Sequence, residues 1–351
     1  MLEPPTGDPR IIWDIYFSSF ILPAVSMADE VGLFPLLEAQ PLSASEVADA
    51  VAITVEWAEI LLGALASLQL VRLQDGRFHN SDAARSFLLP DGPFYAGFSL
   101  RRLGSRNVWE RMQRALQRTA ESVESTGPGP TPPAEGPSSV YVVREWQADE
   151  YPLQRAEEGA RTMHGLSFAA AVAMARNADF THVARLLDVA GGSGGFSIAL
   201  AQRYPHLRCS VAELPVVCQI TQRYIDRYGV ADRVDTLPLN MFFDPWPTGY
   251  DAVFFSLALH DWDLEHRTTL MQRAYDALPA GGRIFIHEML LEDSGNGPLA
   301  SALYSLSMRI GTLGKQFTVP ELRAVLESIG FADVTVRNTT QYFSLLSARK
   351  S

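Results

Sequence analysis

The chain has 351 residues, 47% of them apolar and 20% charged, with 40 acidic against 29 basic side chains and a net charge of −11. That length and balance give a folded globular protein with chain enough for two cores, and they exclude a disordered or fibrous one. The acidic surplus argues against a general affinity for phosphate backbones or anionic lipid surfaces, so neither nucleic acid nor membrane is expected as a partner.

The longest apolar stretch, "IIWDIYFSSFILPAVSMA" from Ile11, is interrupted by Asp14 and Pro23 and framed by neither a basic region nor a small-residue cleavage site. It reads as neither signal peptide nor membrane span, which makes a cytoplasmic protein the expectation. Ile11, Ile12, Ile15 and Tyr16 recur at helical spacing. With Phe20 they form an apolar stripe that has little of its own domain to cover it, and a two-fold homodimer is predicted from it.

"SASEVADAVAITVEWAEILLGALASLQLV" then gives a capped helix, a turn and a second helix, and "RLQDGRFHNS" gives a hairpin turning at Asp-Gly. This is the order of a winged helix. Its second helix, "VEWAEILLGALASLQLV", contains no Lys or Arg with which to approach DNA. "TAESVESTGPGPTPPAEGPSSV", residues 119–140, reads as a surface loop, and a further helix is predicted around "QRAEEGARTMHGLSFAAAVAMARNA".

From Thr181 the pattern changes. Strands are predicted at "ARLLDVA", "RCSVAEL", "VDTLPL", "DAVFFSL", "RIFIHEM", "ADVTVRN" and "YFSLLSAR", with helices between the earlier ones. The expectation is an α/β, Rossmann-like domain with a mostly parallel seven-stranded sheet, ending in an antiparallel hairpin. The predicted domains are a helical one over 1–180 and the sheet domain over 181–351. Cys209 and Cys218 have no metal-ligand spacing and read as reduced core thiols.

"LLDVAGGSGGFSIALAQRYP" runs from the first of these strands through a glycine turn into a helix. A phosphate, a dinucleotide and S-adenosylmethionine are all open at this point. No Gly-Lys-Ser/Thr ending is present, and only a loose dinucleotide fingerprint can be drawn through Gly192 and Gly194. Glu213 ends the next strand, where a carboxylate accepts from ribose hydroxyls in either fold. One strand later, Asn240 stands beside Met241 and Phe242, a combination suited to bonding an adenine edge while covering its face. His260 in "LALHDW" follows the fourth strand at the carboxyl edge of the sheet, and an ordinary imidazole pKa of about 6.5 suits a general base. Glu288 ends the next parallel strand at the same edge, placed to orient that imidazole.

Taken together, "LLDVAGGSGGFSIALAQRYP", "AELPVV", "LNMFFDPWP", "LALHDWDLEH", "LPAGGRIFIHEMLLED", "GPLASALYSLSMRIGTLGKQFTVPEL" and "YFSLLSARK" occur in an order that resembles the S-adenosylmethionine-dependent small-molecule O-methyltransferases. That family includes plant caffeate-type enzymes, acetylserotonin O-methyltransferase and enzymes of bacterial antibiotic biosynthesis. The resemblance covers nearly the whole chain. It implies that the N-terminal region serves dimerisation and closes over the substrate pocket. It further implies that S-adenosyl-L-methionine is held by Asp188, Ala190, Gly191, Gly192, Gly194, Glu213, Leu214, Asn240, Met241, Ser256 and Ser167. Met163, Asp261, Tyr304 and Met308 would line the pocket of a small aromatic acceptor, with His260 as general base supported by Glu288.

Three positions depart from the family's pattern. Ala190 replaces a glycine and is acceptable with ordinary backbone angles. Asn240 replaces an aspartate, and its amide oxygen can still accept from an adenine amino group. Gln316 stands where the family has a second glutamate, and it supplies no charge. His164 and His287 read as structural. Leu257 and "SALYSLSMRIGT" offer no ligands of the kind found in iron-dependent relatives, so no metal is expected. The expected activity is methyl transfer to a phenolic hydroxyl. Transfer to a ring carbon of an amino-acid-derived phenol is the alternative among enzymes, and a ligand-sensing winged-helix regulator is the alternative outside them.

Overall fold

The computed structural model describes residues 11, 14, 15, 18–104, 152–295, 297–340 and 342–351. They fall into two compact units, 1–107 and 108–351. The Pro/Gly-rich stretch 119–140 lies outside the described residues, as do Ile12 and Tyr16 of the expected apolar stripe.

The first unit comprises α1 (Ile21–Glu30), α2 (Leu33–Ala39), α3 (Ala44–Val51), α4 (Val55–Ser67), β1 (Val71–Gln74), β2 (Arg77–Asn80), α5 (Asp82–Phe87) and α6 (Gly97–Gly104). Ser43 starts α3 with a reciprocal box, its hydroxyl accepting from the Glu46 amide while the Glu46 carboxylate accepts from the Ser43 amide at 2.7 Å. Thr54 caps α4 in the same manner, without the return bond. The hairpin turns at Asp75 and Gly76, both at positive φ, which is what a two-residue turn between twisted strands demands. Leu33, Phe34, Leu62 and Leu65 fill the core. The outer face of α4 carries exposed Val55, Trp57 and Ile60, so it is apolar rather than cationic. Ile11, Ile15 and Phe20 are likewise exposed.

The second unit opens with the long helix α7 (Leu153–Asn177). The boundary predicted at 180/181 groups this helix with the N-terminal domain. The structure divides the chain at 107/108 instead, because Ala156 and Ala160 of α7 pack into one cluster with Leu214, Val217 and Ile220 on the sheet side. There follow β3 (Arg185–Val189), α8 (Gly195–Arg203), β4 (Arg208–Glu213), α9 (Pro215–Arg227), β5 (Val234–Pro238), β6 (Ala252–Ser256), a 3₁₀ turn (Leu259–Asp261), α10 (Leu264–Ala277), β7 (Arg283–Glu288), α11 (Leu299–Gly311), α12 (Val319–Ile329), β8 (Phe331–Thr340) and β9 (Phe343–Lys350).

All seven predicted strands form one sheet in the order β5-β4-β3-β6-β7-β9-β8. The first five are parallel, and β9 runs antiparallel to both β7 and β8. Consecutive residues Leu186 and Leu187 on β3 and Val253 to Phe255 on β6 are buried, as covering on both faces requires. Strand order reverses between β3 and β6. In a doubly wound sheet the crevice for ligands opens beyond the carboxyl ends of the strands at that reversal.

Candidate active site

The glycine turn leaves β3 at the reversal and is braced from three sides. Glu213, at the end of β4, accepts from the Gly192 amide through Oε1 at 3.1 Å and from the Leu214 amide through Oε2 at 3.0 Å. Thr221 of α9 donates to the Gly192 carbonyl at 2.6 Å. From α7, the His164 ring places Nδ1 2.9 Å from the Ser193 hydroxyl and Nε2 3.1 Å from the Tyr228 hydroxyl, while stacking on Phe168. Burial, with Arg227 nearby, pushes the His164 pKa down to about 4, so the ring is neutral and hydrogen-bonds at both nitrogens. His164 is therefore tied to the turn, a link that sequence spacing over 29 residues did not reveal.

Glycine is required at specific points of the turn. A Cβ on Gly191 would lie 2.7 Å from the Asp188 carboxyl and 2.8 Å from Val211, and Gly194 begins α8 at φ +72°. Ala190 sits at φ +57°, outside the ordinary angles that would make alanine acceptable there. The left-handed conformation costs an L-residue about 1–2 kcal/mol. Restoring glycine relieves that strain but returns roughly 0.5–1 kcal/mol of backbone freedom to the unfolded chain. Ala190→Gly is therefore expected to stabilise the protein by up to about 1 kcal/mol in urea denaturation. A destabilised variant would show that the methyl group contributes packing that outweighs the strain.

Charge tells which ligand the turn suits. Asp188 is buried, with Oδ2 accepting from Ser197 at 2.7 Å and Oδ1 without a partner among the described residues. Burial raises its carboxyl to about 7 against the opposing Ser197 bond, and the neighbouring Glu213 adds to the rise. Glu213 is itself raised, chiefly by burial. Two desolvated carboxylates with an open acceptor repel a pyrophosphate, whereas an ammonium group and a ribose diol satisfy both. At the end of β5, Leu239 donates to the Glu213 carbonyl at 2.8 Å, which puts Asn240 one residue beyond that pairing with the end of β4. Met241 is buried in the core of this unit. Turn, carboxylate and amide thus stand in series on adjacent strand ends β3, β4 and β5. Ser167 donates to the Met163 carbonyl at 2.7 Å along α7, and Ser256 at the end of β6 lies 3.3 Å from His287 Nδ1.

On the other side of the reversal, β6 ends in Ser256 and the chain turns through Leu257, at φ +52°, into the 3₁₀ turn that carries His260. His260 is 2% exposed. Its Nδ1 lies 2.7 Å from Glu288 Oε2, and Glu288 is itself fully buried at the end of β7. A proton on Nδ1 donated to that carboxylate leaves Nε2 with a lone pair. Nε2 faces Tyr304 of α11, whose hydroxyl is 3.5 Å away, and Asp261 at 3.9 Å. Burial drives the imidazole pKa down, but the Glu288 charge and hydrogen bond, with Asp261, outweigh it and hold it above its ordinary value. Desolvation raises Asp261 to about 6 and pushes the Tyr304 phenol up, so that phenol stays protonated. The Gln316 amide nitrogen lies 3.2 Å from Nδ1 and contributes a dipole where a second carboxylate would contribute charge.

The structure thus brings Asp188, Ala190, Gly191, Gly192, Gly194, Glu213, Leu214, Asn240 and Met241 to consecutive strand ends. It also brings His260, Glu288, Asp261 and Tyr304 into one cluster. Met308, one turn along α11 from Tyr304, is half-buried. His287 bonds Thr339 at 2.9 Å and stacks on Phe343, with burial lowering its pKa to about 3, a packing arrangement. Gly314 was not anticipated. A Cβ there would overlap the His260 carbonyl oxygen and stand 2.7 Å from the Trp262 amide nitrogen. Nothing in "GTLGKQF" announces this approach, because its partner lies more than fifty residues earlier.

The doubly wound sheet thus carries two buried carboxylates beside its glycine turn on one side of the reversal and a buried imidazole–carboxylate pair on the other. The O-methyltransferase domain model matches residues 146–332, and the O-methyltransferase dimerisation domain model matches residues 13–90. This chain belongs to the O-methyltransferase family and is a methyltransferase. It is 33% identical over 337 residues to the 3-hydroxy-5-methyl-1-naphthoate 3-O-methyltransferase of Streptomyces sahachiroi, covering 95% of this chain and 93% of that protein. Over 128 residues, 36% of this chain and 35% of the relative, it is 41% identical to the L-tyrosine C(3)-methyltransferase of Streptomyces lavendulae. The crystal structure of the S-adenosylmethionine-dependent methyltransferase SibL superposes with a TM-score of 0.72 at 26% identity, covering 98% of this chain and 99% of that one.

Proposed function

We propose that the protein transfers the methyl group of S-adenosyl-L-methionine to a phenolic hydroxyl of a small aromatic secondary metabolite, with His260 as general base. The observation that carries this reading is the His260–Glu288 pair at 2.7 Å, which fixes the ring with its Nε2 lone pair turned towards Tyr304 at the carboxyl edge of the sheet. A neutral phenol is a poor nucleophile, and its proton must leave as the new bond forms. Nε2 takes that proton, and the imidazolium so formed is stabilised by Glu288 and Asp261. S-adenosyl-L-methionine supplies an electrophilic methyl group on a sulfonium. Asp188 and the turn Ala190 to Gly194 hold its amino-acid end, Glu213 its ribose and Asn240 with Met241 its base. Met163, Tyr304 and Met308 line the acceptor side, and burial around His260 excludes water from the proton transfer.

The naphthoate O-methyltransferase similarity favours a fused or substituted phenol as acceptor. The tyrosine C-methyltransferase similarity supports a second reading, because a phenolate carries nucleophilic charge on its ortho carbons as well as its oxygen. The same base serves both. The N-terminal unit pairs two copies through the exposed apolar residues on its first helices. No helix of the described residues is long and apolar enough to cross a membrane, and a cytoplasmic enzyme fits this chemistry.

The test is incubation with S-adenosyl-L-methionine and a panel of hydroxylated naphthoates, simple phenols and tyrosine derivatives. The expected product is heavier by one methylene, with an NMR methyl resonance on oxygen. A carbon-bound methyl would establish the second reading, and no methylated phenol of either kind would overturn both.

A further inference from the structure

Asn240 is held in a way that decides which of its two amide ends is offered to a ligand. Its Oδ1 accepts from the Phe242 amide at 3.0 Å, and its own backbone nitrogen donates to Asp244 Oδ2 at 2.7 Å. A backbone N–H can only donate, so the atom facing Phe242 is the oxygen and the amide cannot be turned over without losing that bond. Among the described residues Nδ2 has no bonded partner. With the oxygen engaged by Phe242, Nδ2 is the amide group left uncommitted just beyond β5, and it can only donate.

An aspartate in this loop would offer an acceptor there. The Watson–Crick edge of adenine carries one acceptor, ring nitrogen N1, next to one donor, the 6-amino group. An amide N–H aimed at the amino group would set donor against donor, whereas the same N–H aimed at N1 makes a bond. We propose that Asn240 reads the cofactor's base as a donor to ring nitrogen N1, and not as an acceptor from the exocyclic amine. The inference rests on the reading of this strand edge as the S-adenosyl-L-methionine site. It makes Asn240 a specificity residue that recognises a ring acceptor and is indifferent to the exocyclic group.

The experiment is calorimetry on the intact protein with S-adenosylhomocysteine and two analogues, one with N1 replaced by C–H and one lacking the 6-amino group. The 1-deaza analogue is expected to bind about tenfold more weakly than the parent, because it leaves the Nδ2 donor without an acceptor. The 6-deamino analogue should bind within about threefold of the parent. Asn240→Asp, which has no donor, should reverse that order. If the wild-type protein loses affinity on removal of the amine and tolerates 1-deaza, Asn240 acts through its oxygen and the inference is overturned. Equal binding of all three ligands also overturns it, while leaving the cofactor assignment intact. If S-adenosylhomocysteine itself does not bind, the cofactor reading fails, and the inference with it.

Discussion

Replacing His260 with alanine should slow methyl transfer at neutral pH by about 10²- to 10⁴-fold, the range for loss of a positioned proton acceptor. Affinity for S-adenosylhomocysteine should be nearly unchanged, since Asp188, the glycine turn, Glu213, Asn240 and Met241, proposed to hold it, stand on or just beyond β3, β4 and β5 rather than after β6. The variant's rate should recover as pH rises towards a phenol's own pKa of about 10, where solvent has already made the nucleophile. The wild-type profile carries its own signature. A base works only when neutral, and the His260 pKa is held above its ordinary value, so activity should fall with decreasing pH earlier than an isolated imidazole would dictate. In Glu288→Gln the larger counter-charge is gone and burial is opposed by Asp261 alone, which lowers the imidazole pKa and moves the acidic limb to lower pH. Its turnover should suffer less than that of His260→Ala, because the base remains. Wild-type turnover in His260→Ala at neutral pH would place the base elsewhere.

Gly314→Ala should be nearly as damaging without touching any ionisable group. The added methyl carbon would overlap the His260 carbonyl oxygen, and Leu313 next door donates to the Asp261 carbonyl at 3.1 Å, so the two segments cannot separate without cost. Both clashing partners are backbone, not the end of a flexible side chain. The 3₁₀ turn must therefore move, and displacement of a catalytic group by about 1 Å can cost 10²-fold in rate. We expect turnover to fall by about that factor, with S-adenosylhomocysteine affinity preserved as evidence of an intact fold. Lys315→Ala is the control. Lys315 pairs with Glu321 at 2.5 Å on the surface, and its loss should leave turnover unchanged. A Gly314→Ala enzyme as fast as wild type would remove this approach from the catalytic account.

The sequence by itself determined the strands, their mostly parallel arrangement, the glycine turn and the placing of His260 and Glu288 at one edge. Each of these depends on signals carried within a few residues. Apolar runs such as "DAVFFSL" and "RIFIHEM" specify buried strands, and an acid followed by glycines specifies a strand-to-helix turn. Alternation of the two then fixes which strand ends share an edge. Membership of α7 in the sheet unit was not legible, because a run of alanines and small residues packs equally well on any apolar helix. Only the apolar face of α9 decided it. The left-handed angle at Ala190 was hidden as well, since alanine is at home in ordinary conformations and the turn's bracing imposes this one. The same holds for the link from His164 to Ser193, for the Asn240 oxygen bonded to Phe242, and for Gly314 against the turn that carries His260. These are contacts or orientations at single atoms, and no periodicity encodes them. They follow from strand order and from the close packing that brings segments tens of residues apart within van der Waals reach, which the tertiary structure alone determines.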